Sequence, residues 1–110
     1  MEKKASLEEK MAALGKEIPG VMGAFTELHR EATKDGAISA KMKELMMVAL
    51  SVGLRCESCI RFHVRAVVKH GASRQEILEA TSSAILMAGG PAVAYGAEVV
   101  LEVLDELDIH

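Results

Sequence analysis

Aromatic side chains are almost missing from these 110 residues: there is no Trp, one Tyr (Tyr95) and two Phe (Phe25 and Phe62). Any core must therefore be aliphatic, and little surface remains on which nucleobases could stack. An excess of basic charge is missing too, since the formal net charge is -3. Without a positive field to hold a phosphate backbone, nucleic acid is not expected as a partner. No apolar run reaches the ~18–20 residues of a membrane span. The opening MEKKASLEEKMAAL places charge where a signal peptide needs an apolar stretch, so a cytoplasmic protein with no membrane partner is expected. Two cysteines are too few to staple a scaffold of this length. What is abundant is apolar and helix-favouring: half the chain is hydrophobic, with sixteen Ala, eleven Leu and seven Met. Unbranched side chains lose little rotamer freedom in a helix, so the composition favours an all-α fold over a β fold. The length suits one domain spanning residues 1–110.

Capping and breaking residues divide the chain into six expected helices. Ser6 and Glu9 have capping-box spacing ahead of Leu7, Met11 and Leu14, and Gly15 with Pro19-Gly20 interrupts that run. Pro19 can open a second helix with Val21, Met22, Phe25, Leu28 and Ala32 as its inner stripe, closed by Lys34-Asp35-Gly36. Ser39 caps a third, whose periodic Met42, Leu45, Met46, Ala49, Leu50 and Val52 lead to Gly53 as breaker. A fourth starts around Arg55 to Cys56 and runs through Ile60, Val64 and Val67 to His70, ahead of Gly71. Ser73 and Glu76 form a second capping box, opening a fifth that Gly89-Gly90 ends, and Pro91 opens a sixth that ends near Leu107. The fifth and sixth are apolar over more than one face, which argues for a bundle that assembles into a homo-oligomer.

The chemistry concentrates in Cys56-Glu57-Ser58-Cys59. In a reducing compartment a C-x-x-C signals redox or metal chemistry. At a helix start, unsatisfied backbone N–H groups favour the thiolate, which is the reactive form. His63 follows Cys59 by four residues and Cys56 by seven, so all three share one stripe of the fourth helix. Glu44 joins them by hairpin geometry. For antiparallel third and fourth helices turning at Gly53-Leu54, positions 44 and 63 lie at equal height, each ~14 Å from the turn at ~1.5 Å per residue. Flanked by Met42, Leu45, Met46 and Met47, the Glu44 carboxylate is expected to be half-buried, where it would orient the imidazole. The set reads as a nucleophile, a base, an orienting acid and a second thiol that resolves the oxidised one.

Blander readings compete with this one. Cys56, Cys59 and His63 could supply three zinc ligands, but there is no second C-x-x-C, and His70 lies ~21 Å of helix beyond Cys56. Taken alone, Glu44 beside Lys41 and Lys43 would be a solvated surface acid. His29 reads as part of a solvated His-Arg-Glu run, His70 as the neutraliser of a helix C-terminus, and His110 as tail. The methionines read as core filling, with Met46 and Met47 as possible lining for an apolar substrate.

The segments Lys41-Met42-Lys43-Glu44-Leu45, Cys56-Glu57-Ser58-Cys59-Ile60, His63-Val64, Gly71-Ala72 and Gly89-Gly90-Pro91-Ala92 together resemble the carboxymuconolactone decarboxylase family in its alkylhydroperoxidase D-like branch. The resemblance covers about residues 19–107. It implies an all-helical fold assembled as homotrimers or homohexamers, and a thiol peroxidase activity that needs no bound cofactor. Cys59 would then attack a small hydroperoxide and Cys56 resolve it, with His63 and Glu44 as proton relay. A dithiol, lipoyl or thioredoxin-like donor would restore the pair. Two positions depart from the pattern of many peroxidase members: Ser58 stands where they have His, and Leu54 where they have Asn. Members that give the family its name lack the C-x-x-C, so decarboxylation is not expected. A disulfide reductase, or a redox relay or sensor of the same fold, is the alternative.

Overall fold

The structure is a computed structural model that describes residues 6–110; the charged opening Glu2-Lys3-Lys4 lies outside them. All its regular structure is helical, and the described residues contain no strand. They divide into two compact units, one ending at Lys34 and the other spanning Asp35–His110.

The first unit holds α1 (Leu7–Glu17) and α2 (Pro19–Thr33). Ser6 caps α1 by accepting the Glu9 N–H at 3.1 Å. Gly15 does not interrupt α1, which runs on to Glu17 before Pro19 opens α2. The inner stripe expected for α2 is not buried: Val21, Phe25 and Leu28 are exposed, and no described residue of either helix is buried. A pair of short helices has too little facing surface to cover so wide an apolar face by itself. The less exposed stripe of α2 is Met22, His29 and Thr33, so His29 is half-buried where a solvated position was expected.

The second unit contains α3 (Ala40–Gly53), α4 (Glu57–Lys69) and α5 (Arg74–Ala88). A last helical run follows, made of α6 (Gly90–Tyr95), a π-turn (Gly96–Val100) and α7 (Leu101–Glu106). Ser39 caps α3 through the Met42 N–H, and Ser73 with Glu76 forms the reciprocal capping box of α5. The aliphatic core lies here, with Val48, Val52, Ile60, Val64, Val67, Ile77, Val100, Val103 and Leu104 fully buried. Helix α3 is central: it packs on α4, α5 and α6, while α4 also meets the π-turn and α7. At the π-turn, a Cβ on Gly96 would sit 3.1 Å from the Thr81 methyl, so that glycine lets the last run approach α5 closely.

Helix α3 ends at Gly53, where the break was expected, and the left-handed residue of the turn to α4 is Arg55, at φ 57°. The Cys56 N–H bonds the Ser51 carbonyl and the Arg55 N–H bonds the Val52 carbonyl, each at 3.1 Å. This is the Schellman pattern, whose left-handed position comes after the cap Leu54 and so lands on an arginine. The same pattern ends α4, at Gly71 (φ 86°), and α7, at Asp108 (φ 58°). The consequence for the site is that Cys56 is tied by its backbone to the last turn of α3 before it begins α4.

Candidate functional site

Cys56 is the N-cap of α4: its backbone is extended, and its sulfur accepts the Cys59 N–H at 3.3 Å. The two sulfurs lie 2.12 Å apart, at disulfide distance, with Cα atoms 5.3 Å apart. A C-x-x-C straddling a cap has this closeness because residue N3 turns back over the N-cap, so the bond needs no other element to form. Both cysteines are half-buried. The Ser58 hydroxyl, between them, is 3.7 Å from the Cys56 sulfur.

One turn further along α4, His63 meets Glu44 across the α3–α4 hairpin, with Nδ1 and Oε2 2.8 Å apart. Glu44 is only 2% exposed, deeper than the half-burial expected from its methionine neighbours. The reason lies in which face of α3 turns inward. Glu44, Leu45, Val48, Ser51 and Val52 are buried, while Met42, Met46 and Leu50 face outward. A buried carboxylate is costly unless paired and hydrogen-bonded, and the imidazole supplies that partner. With Glu44 as carboxylate, Nδ1 carries the hydrogen and donates it, which makes Nε2 the acceptor nitrogen of the ring. The Phe62 ring lies edge-on to this imidazole, at 5.1 Å between centroids.

Two surface features join helices whose mutual register leaves no signal in the sequence spacing. Arg61 pairs with Glu57 on its own helix and with Glu102 and Glu106 on the last run, anchoring the outer side of α4. The hydrogen bond to Glu57 comes first among the causes that hold its guanidinium above the ordinary arginine value. Between α3 and α5 runs an open apolar hollow of about 570 Å³, lined by Met42, Leu45, Met46 and Leu50 with Glu76 and Glu79 from α5. Met46 lines it as the sequence suggested, whereas Met47 does not. The α5 contribution was not legible, because sequence spacing gives no register between α3 and a helix two elements away.

Glu44, His63, Cys56 and Cys59 thus all lie on the α3–α4 hairpin. His70 is the C-cap of α4 and His110 bonds Asp108 at the chain end, so both stand apart from this group in the helical framework.

Residues 19–102 match the family model described as the carboxymuconolactone decarboxylase family. An uncharacterised protein of Cupriavidus necator is 35% identical over 94 residues, covering 86% of this chain and 83% of its own. Another, from the cox locus of Paracoccus denitrificans, is 35% identical over 106 residues, covering 94% of this chain and 95% of its own. Among solved structures, an apo protein of the same family from Legionella pneumophila superposes with a TM-score of 0.83 at 44% identity, covering 88% of this chain and 86% of that one. A family member from Thermotoga maritima, described as possibly involved in antioxidative response, gives a TM-score of 0.73 at 34% identity, covering 80% and 90%.

Proposed function

The chain belongs to the carboxymuconolactone decarboxylase family, and we propose that within it this chain is a thiol-dependent hydroperoxide reductase of the alkylhydroperoxidase D-like kind. The observation that carries this reading is the buried Glu44 carboxylate bonded to His63 at 2.8 Å, one helical turn from a bonded cysteine pair. A structural cysteine pair gains nothing from a base oriented by a buried acid, whereas a nucleophile does. The antioxidative role suggested for the Thermotoga maritima relative points the same way.

In the proposed cycle, His63 draws the proton from the Cys59 thiol while Glu44 balances the imidazolium. The Cys59 thiolate attacks the terminal, hydrogen-bearing oxygen of a hydroperoxide; the O–O bond breaks, and the departing alkoxide takes up a proton as the alcohol. Cys59 is left as sulfenic acid. Cys56 then attacks that sulfur, water leaves, and the disulfide forms. A dithiol of lipoyl or thioredoxin type returns both cysteines to thiols and becomes a disulfide itself. No bound cofactor takes part. The working protein is a cytoplasmic homotrimer or homohexamer. None of the helices of the described residues is long and apolar enough to cross a membrane.

A disulfide reductase or redox relay using the same thiols is the second reading, since the bonded Cys56–Cys59 pair serves it equally well. Hydroperoxide consumption by the reduced protein, measured with a panel of lipoyl and thioredoxin-type donors, separates the two. Turnover with one donor supports the peroxidase. Donor oxidation that proceeds with a disulfide substrate but never with a hydroperoxide supports the relay.

A further inference from the structure

The two sulfurs of the pair are not equivalent. The donors of this segment converge on Cys56: the Cys59 N–H reaches its sulfur at 3.3 Å, and the Ser58 oxygen stands 3.7 Å away. A disulfide sulfur carries no hydrogen, so in this contact the Ser58 hydroxyl donates. Both donors would hold negative charge better than they hold a neutral sulfur. In thiol–disulfide exchange the sulfur that best carries negative charge leaves faster, and attack falls on its neighbour.

We infer that Ser58 and the Cys59 amide make Cys56 the departing sulfur when the disulfide is reduced, so that the external thiol attacks Cys59. This rests on the thiol-oxidoreductase reading and gives its reductive half a direction. The reductant's thiolate forms a bond to the Cys59 sulfur as the Cys59–Cys56 bond breaks, and that electron pair stays on Cys56. The second thiolate of the dithiol then attacks its own sulfur in the mixed disulfide and releases Cys59 as thiolate. The dithiol loses two electrons and the protein gains them; the two thiol protons pass through solvent. The order returns Cys59 last, beside His63 on the same helical stripe. Ser58 thereby acts on the resolving thiol.

The test uses the oxidised full-length protein and 2-mercaptoethanol, a monothiol that cannot complete the second step. After brief reaction, acid quench and alkylation of free thiols, fragment mass spectrometry assigns each adduct. We expect the alkyl group on Cys56 and the mercaptoethanol on Cys59. Ser58→Ala should slow opening about threefold, as a leaving thiol poorer by about tenfold in acidity would, and should erode the preference. Ser58→Thr, which keeps the hydroxyl, should restore both. Mercaptoethanol mainly on Cys56, or divided equally in the wild type, overturns the inference; a Ser58→Ala protein identical to wild type removes Ser58 from it. A protein that shows the expected adduct yet consumes no hydroperoxide loses the peroxidase reading and leaves the inference standing.

Discussion

Glu44 and His63 meet at 2.8 Å, and under the proposed cycle replacing either is the sharpest perturbation at the scale of single residues. Glu44→Gln and His63→Gln each keep a hydrogen-bonding group while removing the acid or the base. Each should slow Cys59 sulfenate formation by roughly 10²–10⁴, the usual worth of general acid–base catalysis, in a stopped-flow measurement. The double variant should lose far less than the product of the two, because members of one relay act as a unit. Raising the pH should rescue all three variants as Cys59 ionises unaided, whereas Cys59→Ser stays inactive throughout. The meeting of Glu44 with His63 was legible from sequence because a tight hairpin fixes the heights of facing residues. The depth of Glu44 was not. It depends on which face of α3 is inward, and the apolar Met42, Met46 and Leu50, which face outward, pulled the expected stripe around the helix.

Helix ends were the best-read features at the scale of elements, since Ser6, Ser39 and Ser73 all cap where their spacing said they would. Helix α3 also ends at Gly53, where its spacing said it would, and the Schellman geometry puts the left-handed residue two positions later, at Arg55. A left-handed arginine is strained by about 1–2 kcal/mol relative to glycine, so Arg55→Gly should raise stability by about 1 kcal/mol. Urea unfolding checks this; an unchanged or lower midpoint would mean that the Arg55 side chain contributes more than its backbone costs. The capping box of α5 adds a pH dependence. The Ser73 backbone N–H, then the ion pair with Lys41, hold the Glu76 carboxyl below its ordinary value. Because its pKa is lower folded than unfolded, this contribution is present above the ordinary glutamate range and is lost as pH falls through the folded value. Glu76→Gln should therefore cost stability near neutral pH, and the gap to wild type should narrow on acidification, as read from thermal midpoints. A constant gap would assign the loss to packing.

The molecule as a whole leaves much of its apolar surface uncovered: Leu86 is 84% and Met87 86% exposed on α5, and Met42, Met46, Leu50 and Leu54 of the α3 segment are exposed as well. Full burial of one such side chain is worth ~1.5–3 kcal/mol, so a patch of this kind strongly favours association. Sedimentation should show a trimer or hexamer at micromolar concentration, and Leu86→Lys with Met87→Lys should dissociate it; a stable wild-type monomer would contradict the assembly. The sequence anticipated this for α5 but not for α2, whose Val21, Phe25 and Leu28 are also exposed, because periodicity reports an apolar face without saying what covers it. Central to the account is a reversible Cys56–Cys59 couple that hydroperoxide oxidises through Cys59. The most direct test adds one equivalent of hydroperoxide to the fully reduced protein and counts thiols with time. Two thiols per chain should vanish together, return on adding a dithiol, and vanish far more slowly in Glu44→Gln; two thiols persisting in a folded, assembled wild-type protein would rule the couple out.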